Sequence, residues 1–194
     1  MQISSSTDTE RNLAIELILE DIPGGGVVEK DDFKTGSSGM EAGTLLGVDS
    51  SGIWHITKTA RLVGALPASG FNIFQVFNNH EFKVGDYLQN TGNTASGVLI
   101  TAISASGASR DVITVASGLS VAIAASGLVI QAATGDERAL GFLYSPTAIA
   151  TNSVDLDKDN TGCGLLVRGR VRKGELPYPV DSTLIALFPL IRFV

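Results

Sequence analysis

Apolar residues along this chain fall in short runs at two-residue spacing, broken by glycine, serine and asparagine. The run Leu165 to Arg172 is the clearest: Arg168, Arg170 and Arg172 share one face of a predicted strand, and Leu165, Val167, Gly169 and Val171 share the other, which should be core. Val98–Ile103, Val112–Val115 and Leu128–Ile130 are too brief for stable helices and rich in Val, Ile and Thr, which suit strands. Ser-Gly pairs at Ser96, Ser106, Ser117 and Ser126 mark turns between them, the spacing of an all-β meander. Ala42 to Trp54 reads as a strand, an Asp49-Ser50-Ser51-Gly52 turn and a returning strand, and Arg138 to Tyr144 as a further strand. One helix is expected, capped by Asp181 and running through Ala186, with Pro189 ending it before Leu190 to Val194 extends.

Three regions separate on this pattern. Residues 1–35 form an arm, with a polar lead, the apolar stretch Leu13 to Leu19, a triple-glycine hinge at Gly24-Gly25-Gly26 and a charged segment. Residues 36–62 and 137–194 form a discontinuous core, and 63–136 a turn-rich β insertion between its two pieces. In the arm, Leu13, Ile15, Leu17 and Leu19 lie on one side of an extended chain and can add a strand to another sheet edge, where the ladder bonds form regardless of side-chain chemistry.

Composition narrows the function classes. With 44% hydrophobic and 18% charged residues, the chain is too apolar for disorder and must bury much of its surface on folding or assembly. A formal charge of −6 opposes general nucleic-acid binding, which needs an excess of Lys and Arg. The start of the chain lacks the basic and apolar segments of a secretion signal, so cytoplasmic synthesis is expected. The uncharged span Val112 to Gly135 is interrupted by Ser-Gly pairs and diluted by Ser, Thr and Ala, so no membrane helix is expected.

Candidate chemistry is sparse. Asp155, Asp157 and Asp159 alternate as in the start of a calcium loop, but Asn160 stands where the turn needs glycine and Leu166 where a bidentate glutamate belongs, so the stretch reads as a solvated inter-strand loop. His55 and His80 lack a third ligand at known spacing, and Cys163 lacks a histidine partner motif and reads as a small packing residue. No nucleophile elbow or phosphate-binding glycine loop is present, so no catalytic residue, metal, cofactor or small-molecule substrate is assigned, and the chain is read as not an enzyme.

The order of four features carries a resemblance: Ala42-Gly43-Thr44-Leu45-Leu46-Gly47-Val48-Asp49, then Ala139-Leu140-Gly141-Phe142-Leu143, then Leu166-Val167-Arg168-Gly169-Arg170-Val171 with Glu175-Leu176, then the helix and Ile191 to Val194. This order resembles the head-decoration proteins of tailed bacteriophages, the family of the phage lambda capsid cement protein. The resemblance implies an all-β chain with a β-clip-like core and one short C-terminal helix, and the insertion at 63–136, read from its turns as a small β-barrel or meander, departs from the family's simplest pattern. It implies a structural virion protein, made in the bacterial cytoplasm, that binds the outer surface of the mature capsid as a homotrimer and stabilises it against internal DNA pressure. Its partners would be the major capsid protein and itself, without nucleic acid or membrane. The arm residues Leu13, Ile15, Leu17 and Leu19 would contact the capsid, and Arg168, Arg170 and Arg172 the trimer or capsid. The alternatives are another virion β module, such as a head-fibre base or tail component binding a protein or glycan, and a small β-barrel enzyme or ligand-binding domain using His55 and His80.

Overall fold

The computed structural model describes residues 14–37, 39–67, 71–91, 97–119, 121–133, 142–155 and 161–194. In chain order the strands are β1 (Ile15–Asp21), β2 (Gly26–Val28), β3 (Gly39–Met40), β4 (Leu45–Val48), β5 (Trp54–Ile56), β6 (Thr59–Arg61), β7 (Ile73–Phe77), β8 (Tyr87–Asn90), β9 (Val98–Ala105), β10 (Arg110–Val115), β11 (Leu128–Gln131), β12 (Pro146–Ala150), β13 (Val154–Asp155), β14 (Thr161–Cys163) and β15 (Leu165–Val171). A single α-helical turn, α1 (Ser182–Ile185), and β16 (Ile191–Phe193) follow. The fold is all-β.

An eight-stranded sheet runs β1-β15-β12-β4-β5-β2-β14, with β16 alongside β15. β1 pairs antiparallel with β15, and β2 pairs antiparallel with β14, so residues 15–28 and 161–171 form one long ribbon. It bends at Gly164 on one strand and at residues 22–25 on the other, which carries β14 to the far end of the sheet and curls it. The glycines at this bend are a packed turn rather than the hinge expected from the sequence. The Gly25 amide donates to the Ile22 carbonyl at 2.9 Å, and a Cβ on Gly25, at φ +66°, would lie 2.1 Å from the Cys163 carbonyl oxygen. Only glycine fits there.

A six-stranded sheet runs β6-β11-β8-β9-β10-β7, with its strands drawn from residues 59–131. It curls until β7 meets the chain just past β6, through a Leu62–Val76 bridge and a 3.0 Å bond from the Val63 amide to the Gln75 carbonyl. On β7 the inward residues Phe74 and Val76 are buried while Ile73, Gln75 and Phe77 face out. The inward side chains pack with Leu62, Phe82, Leu88, Ile100, Ile113, Val115 and Val129.

β11 is the wall the two sheets share. Its Val129 enters that core, while Leu128 and Ile130 point the other way and pack with Leu45, Phe142, Ile149, Leu166, Val171 and Leu184. Each such buried Leu or Ile contributes roughly 1.5–3 kcal/mol, so the two sheets are tied by apolar burial. A third cluster, around Trp54, Leu46, Met40, Phe33 and Leu165, fills the curl of the eight-stranded sheet.

The expected turn and helix signals are present. Asp49 Oδ1 accepts the Ser51 and Ile53 amides, both at 2.8 Å, and Gly52 takes φ +85°. Asp181 Oδ1 accepts the Leu184 amide at 3.0 Å at the start of α1, and its Oδ2 accepts the Thr91 hydroxyl at 2.5 Å. Of the strand expected at Arg138 to Tyr144, residues 138–141 lie outside the described residues; Phe142 makes a single bridge to Ala132, and the next strand is β12. The Asp157 and Asp159 positions also lie outside the described residues, between β13 and β14.

Candidate functional site

Two groups of residues singled out in the sequence come together in space. From Ala14 onward the expected arm is built into the eight-stranded sheet: β1 lies against β15, the strand that carries the arginines. Leu13 lies outside the described residues. The pairing sets Ile15 opposite Val171, Leu17 opposite Arg170, Ile18 opposite Gly169 and Glu20 opposite Arg168, with three shifts of register along the way.

Those shifts change which side chains are covered. Simple alternation places Ile15, Leu17 and Leu19 on one side, but each bulge inserts a residue and re-aims those that follow. Ile15 is half-buried, whereas Leu17, Ile18 and Leu19 are 43%, 49% and 61% exposed in succession. β1 approaches β15 closely at Gly169, where a Cβ would lie 2.2 Å from the Leu17 carbonyl oxygen. β1 stands at the end of the sheet order, and among the described residues no strand pairs with its outer side.

The arginine stripe is divided. Arg170 and Arg172 reach Glu16 at 3.5 and 3.8 Å, on side chains about a third to a half exposed, where an ion pair is worth only about 0–1 kcal/mol. Arg168, across from Glu20, is exposed. The opposite face is buried at Leu165, Gly169 and Val171 and half-buried at Val167; Leu166, on the arginine side by parity, is buried too, because that end of β15 is covered on both faces.

The two histidines occupy separate carboxylate settings. His55 stacks on Tyr144 with ring centroids 3.8 Å apart, and its Nδ1 lies 3.0 Å from Asp32 Oδ2, which also accepts the Ile56 amide. Burial pulls the His55 pKa down, but the Asp32 hydrogen bond and the charges of Asp32, Asp49 and Glu29 outweigh it and hold the ring above its usual value. His80 Nδ1 accepts the Phe82 amide at 3.1 Å, and its Nε2 lies 3.1 Å from Asp111 without hydrogen-bond alignment. Burial, with Lys34 nearby, pushes His80 down to about 4. Burial also pushes the Cys163 thiol up to about 11, so it is not a thiolate at neutral pH. Among the described residues no group of three or more His, Cys, Asp and Glu gathers as metal ligands, and no helix is long and apolar enough to cross a membrane.

Sequence reasoning missed a seam of buried polar groups where the two sheets meet. Lys58 is 2% exposed, and its Nζ donates to Asp86 Oδ2 at 2.8 Å. Glu81 accepts the Lys34 amide at 2.9 Å and the Tyr178 hydroxyl at 3.2 Å, and Thr59 donates to the Pro179 carbonyl at 2.8 Å. Burial, then the Glu81 charge, drives the Tyr178 hydroxyl far above its usual range, so it stays a donor. The one signal was Lys58 lying between apolar strand residues, in Ile56-Thr57-Lys58-Thr59-Ala60. Beside the seam an open hollow of about 360 Å³ is lined by Arg61, Phe77, Asn78, Asn79, Ser109 and Pro179. No protein-family model, curated protein or solved structure matches this chain.

Proposed function

We propose that this chain is a structural protein of a phage virion, which sits on the outside of the mature capsid as a homotrimer and braces it against the packaged DNA. The observation that carries the reading is β1, an edge strand presenting Leu17, Ile18 and Leu19 to solvent with no strand on its outer side among the described residues. An unpaired edge is a template for another chain, and on β1 the apolar Leu17, Ile18 and Leu19 lie between the acidic Glu16 and the acidic pair Glu20-Asp21, so such a chain would cover the apolar centre and meet carboxylates at either end. The order of sequence features that resembles head-decoration proteins favours, as that other chain, the major capsid protein or a neighbouring copy in the trimer. Arg168, exposed on β15 beside β1, offers that partner a planar donor fork for carboxylates.

The test has two arms. Light scattering of the purified chain should give three times the chain mass. Mixed with expanded capsids stripped of their own decoration protein, it should co-sediment and raise the temperature of rupture. A monomer that leaves capsids unbound and their rupture unchanged refutes the reading. A second reading, a virion β module that binds a glycan, draws on the hollow beside Phe77, where an exposed aromatic edge meets Asn78, Asn79 and Arg61.

A further inference from the structure

The buried polar seam holds one pair whose geometry suits a covalent step. Lys58 precedes β6 and is among the most completely buried large side chains of the molecule. Its Nζ is 2.8 Å from Asp86 Oδ2, on the loop that leads into β8. Oδ2 also accepts the Lys83 amide at 2.8 Å, while Oδ1 accepts Gln131 Nε2 at 3.2 Å. Gln131 is positioned by its own backbone, whose amide donates to the Lys58 carbonyl at 3.0 Å. The carboxyl group is thus held by donors on both oxygens, with the amine against one of them.

We propose that Lys58 and Asp86 condense into an intramolecular isopeptide bond, closing a covalent link between β6 and the approach to β8. A buried ion pair carries the desolvation cost of two charges, and an amide of the same atoms carries neither. Burial lowers the Lys58 pKa, which favours the neutral amine with its lone pair free. The ammonium first passes one proton to Oδ2, against which it is held; the freed lone pair then attacks Cγ of Asp86, and the nitrogen–carbon bond forms. A second proton moves from nitrogen to Oδ2, the Cγ–Oδ2 bond breaks, Oδ2 leaves as water, and Oδ1 stays as the amide carbonyl. The Gln131 amide at Oδ1 stabilises the charge that builds on that oxygen in the tetrahedral intermediate. An ammonium and a carboxylate become an amide and water, so the step needs neither oxidant nor co-reactant. Juxtaposition in a dry, fixed site supplies the effective concentration. The bond is independent of any capsid role.

The test is the intact mass of the folded full-length chain, followed by proteolysis and fragment sequencing. The expected result is a mass lower by one water, a branched peptide joining Lys58 to Asp86, and full mass in chain kept denatured from synthesis. Lys58→Arg, which keeps the cation without the attacking amine, should show full mass. Folded wild-type chain of full mass, checked for folding by Trp54 fluorescence, overturns the proposal. So does a water lost as an aspartyl succinimide elsewhere, or an ammonia lost with Lys58 joined to Gln131.

Discussion

In the six-stranded sheet the last strand, β7, returns to the chain beyond β6 through Leu62 and Val76, whereas in the eight-stranded sheet β1 remains at the margin with Leu17, Ile18 and Leu19 in water. The first arrangement satisfies its edges internally; the second leaves a row of backbone donors and acceptors beside apolar side chains. Among the described residues β14 ends the same sheet order, but it is three residues long, so β1 is the longer of the two margins, and β11 gives the two sheets a common wall.

The strongest way to break this comparison is to hollow out the closed sheet. Phe82→Ala, in its core at 1% exposure, should cost about 3–5 kcal/mol in denaturant titration. Trp54, the single tryptophan, reports on the other sheet, so its fluorescence midpoint should fall with the rest; an unmoved midpoint would show that the shared wall does not couple them. Next in size is acid sensitivity within the six-stranded region. His80 has its folded pKa depressed to about 4 from 6.5, so its stabilising contribution is present above pH 6.5 and is lost as pH falls toward 4. The loss amounts to about 3 kcal/mol. His80→Asn, which keeps an acceptor for the Phe82 amide, should flatten the stability profile across that window. His55, with a raised pKa, runs the other way: its contribution is present below pH 6.5 and is lost as pH rises through the folded value.

The open sheet is probed by smaller changes. Gly169→Ala forces a Cβ into the Leu17 carbonyl and should cost about 1–3 kcal/mol while speeding hydrogen exchange along β1. Ile18→Lys, on the exposed edge, should change stability by no more than about 0.5 kcal/mol. On the proposed function it should nonetheless abolish co-sedimentation with capsids, and unimpaired binding would remove β1 from the interface.

The legible parts were those set by local chemistry. The Asp49 turn, the Asp181 cap and the Pro189 stop each act within a few residues, and the β-branched runs that became β9, β10 and β11 need only neighbours on a pleated surface. β7 escaped because Ile73 and Phe77 are apolar yet face outward, which hides the alternation of Ile73-Phe74-Gln75-Val76-Phe77. β2 was masked by glycines that read as a swivel, and β12 by its opening proline and small alanines. The bulges of β1 arise from its fit to β15 and have no signature in Leu13 to Leu19, so period two named the segment and its exposed Leu17 and Leu19 but not Ile18, which the bulges turn outward as well. Lys58 left only the hint of its place within a strand run, for a related reason: its burial depends on Asp86 and Gln131, which are distant in sequence.

The pairing of Ile15 with Val171 also sets a timetable for biosynthesis. A ribosome adding roughly 5–20 residues per second exposes the first strand on the order of ten seconds before its complement emerges. Throughout that interval a strand of mixed acidic and aliphatic character waits unpaired on every nascent chain, and on a crowded polysome the first complement it meets can belong to a sister molecule. Exchange of β1 between copies during translation is then the expected by-product, and slower elongation through residues 100–160 should raise the fraction of interlocked species.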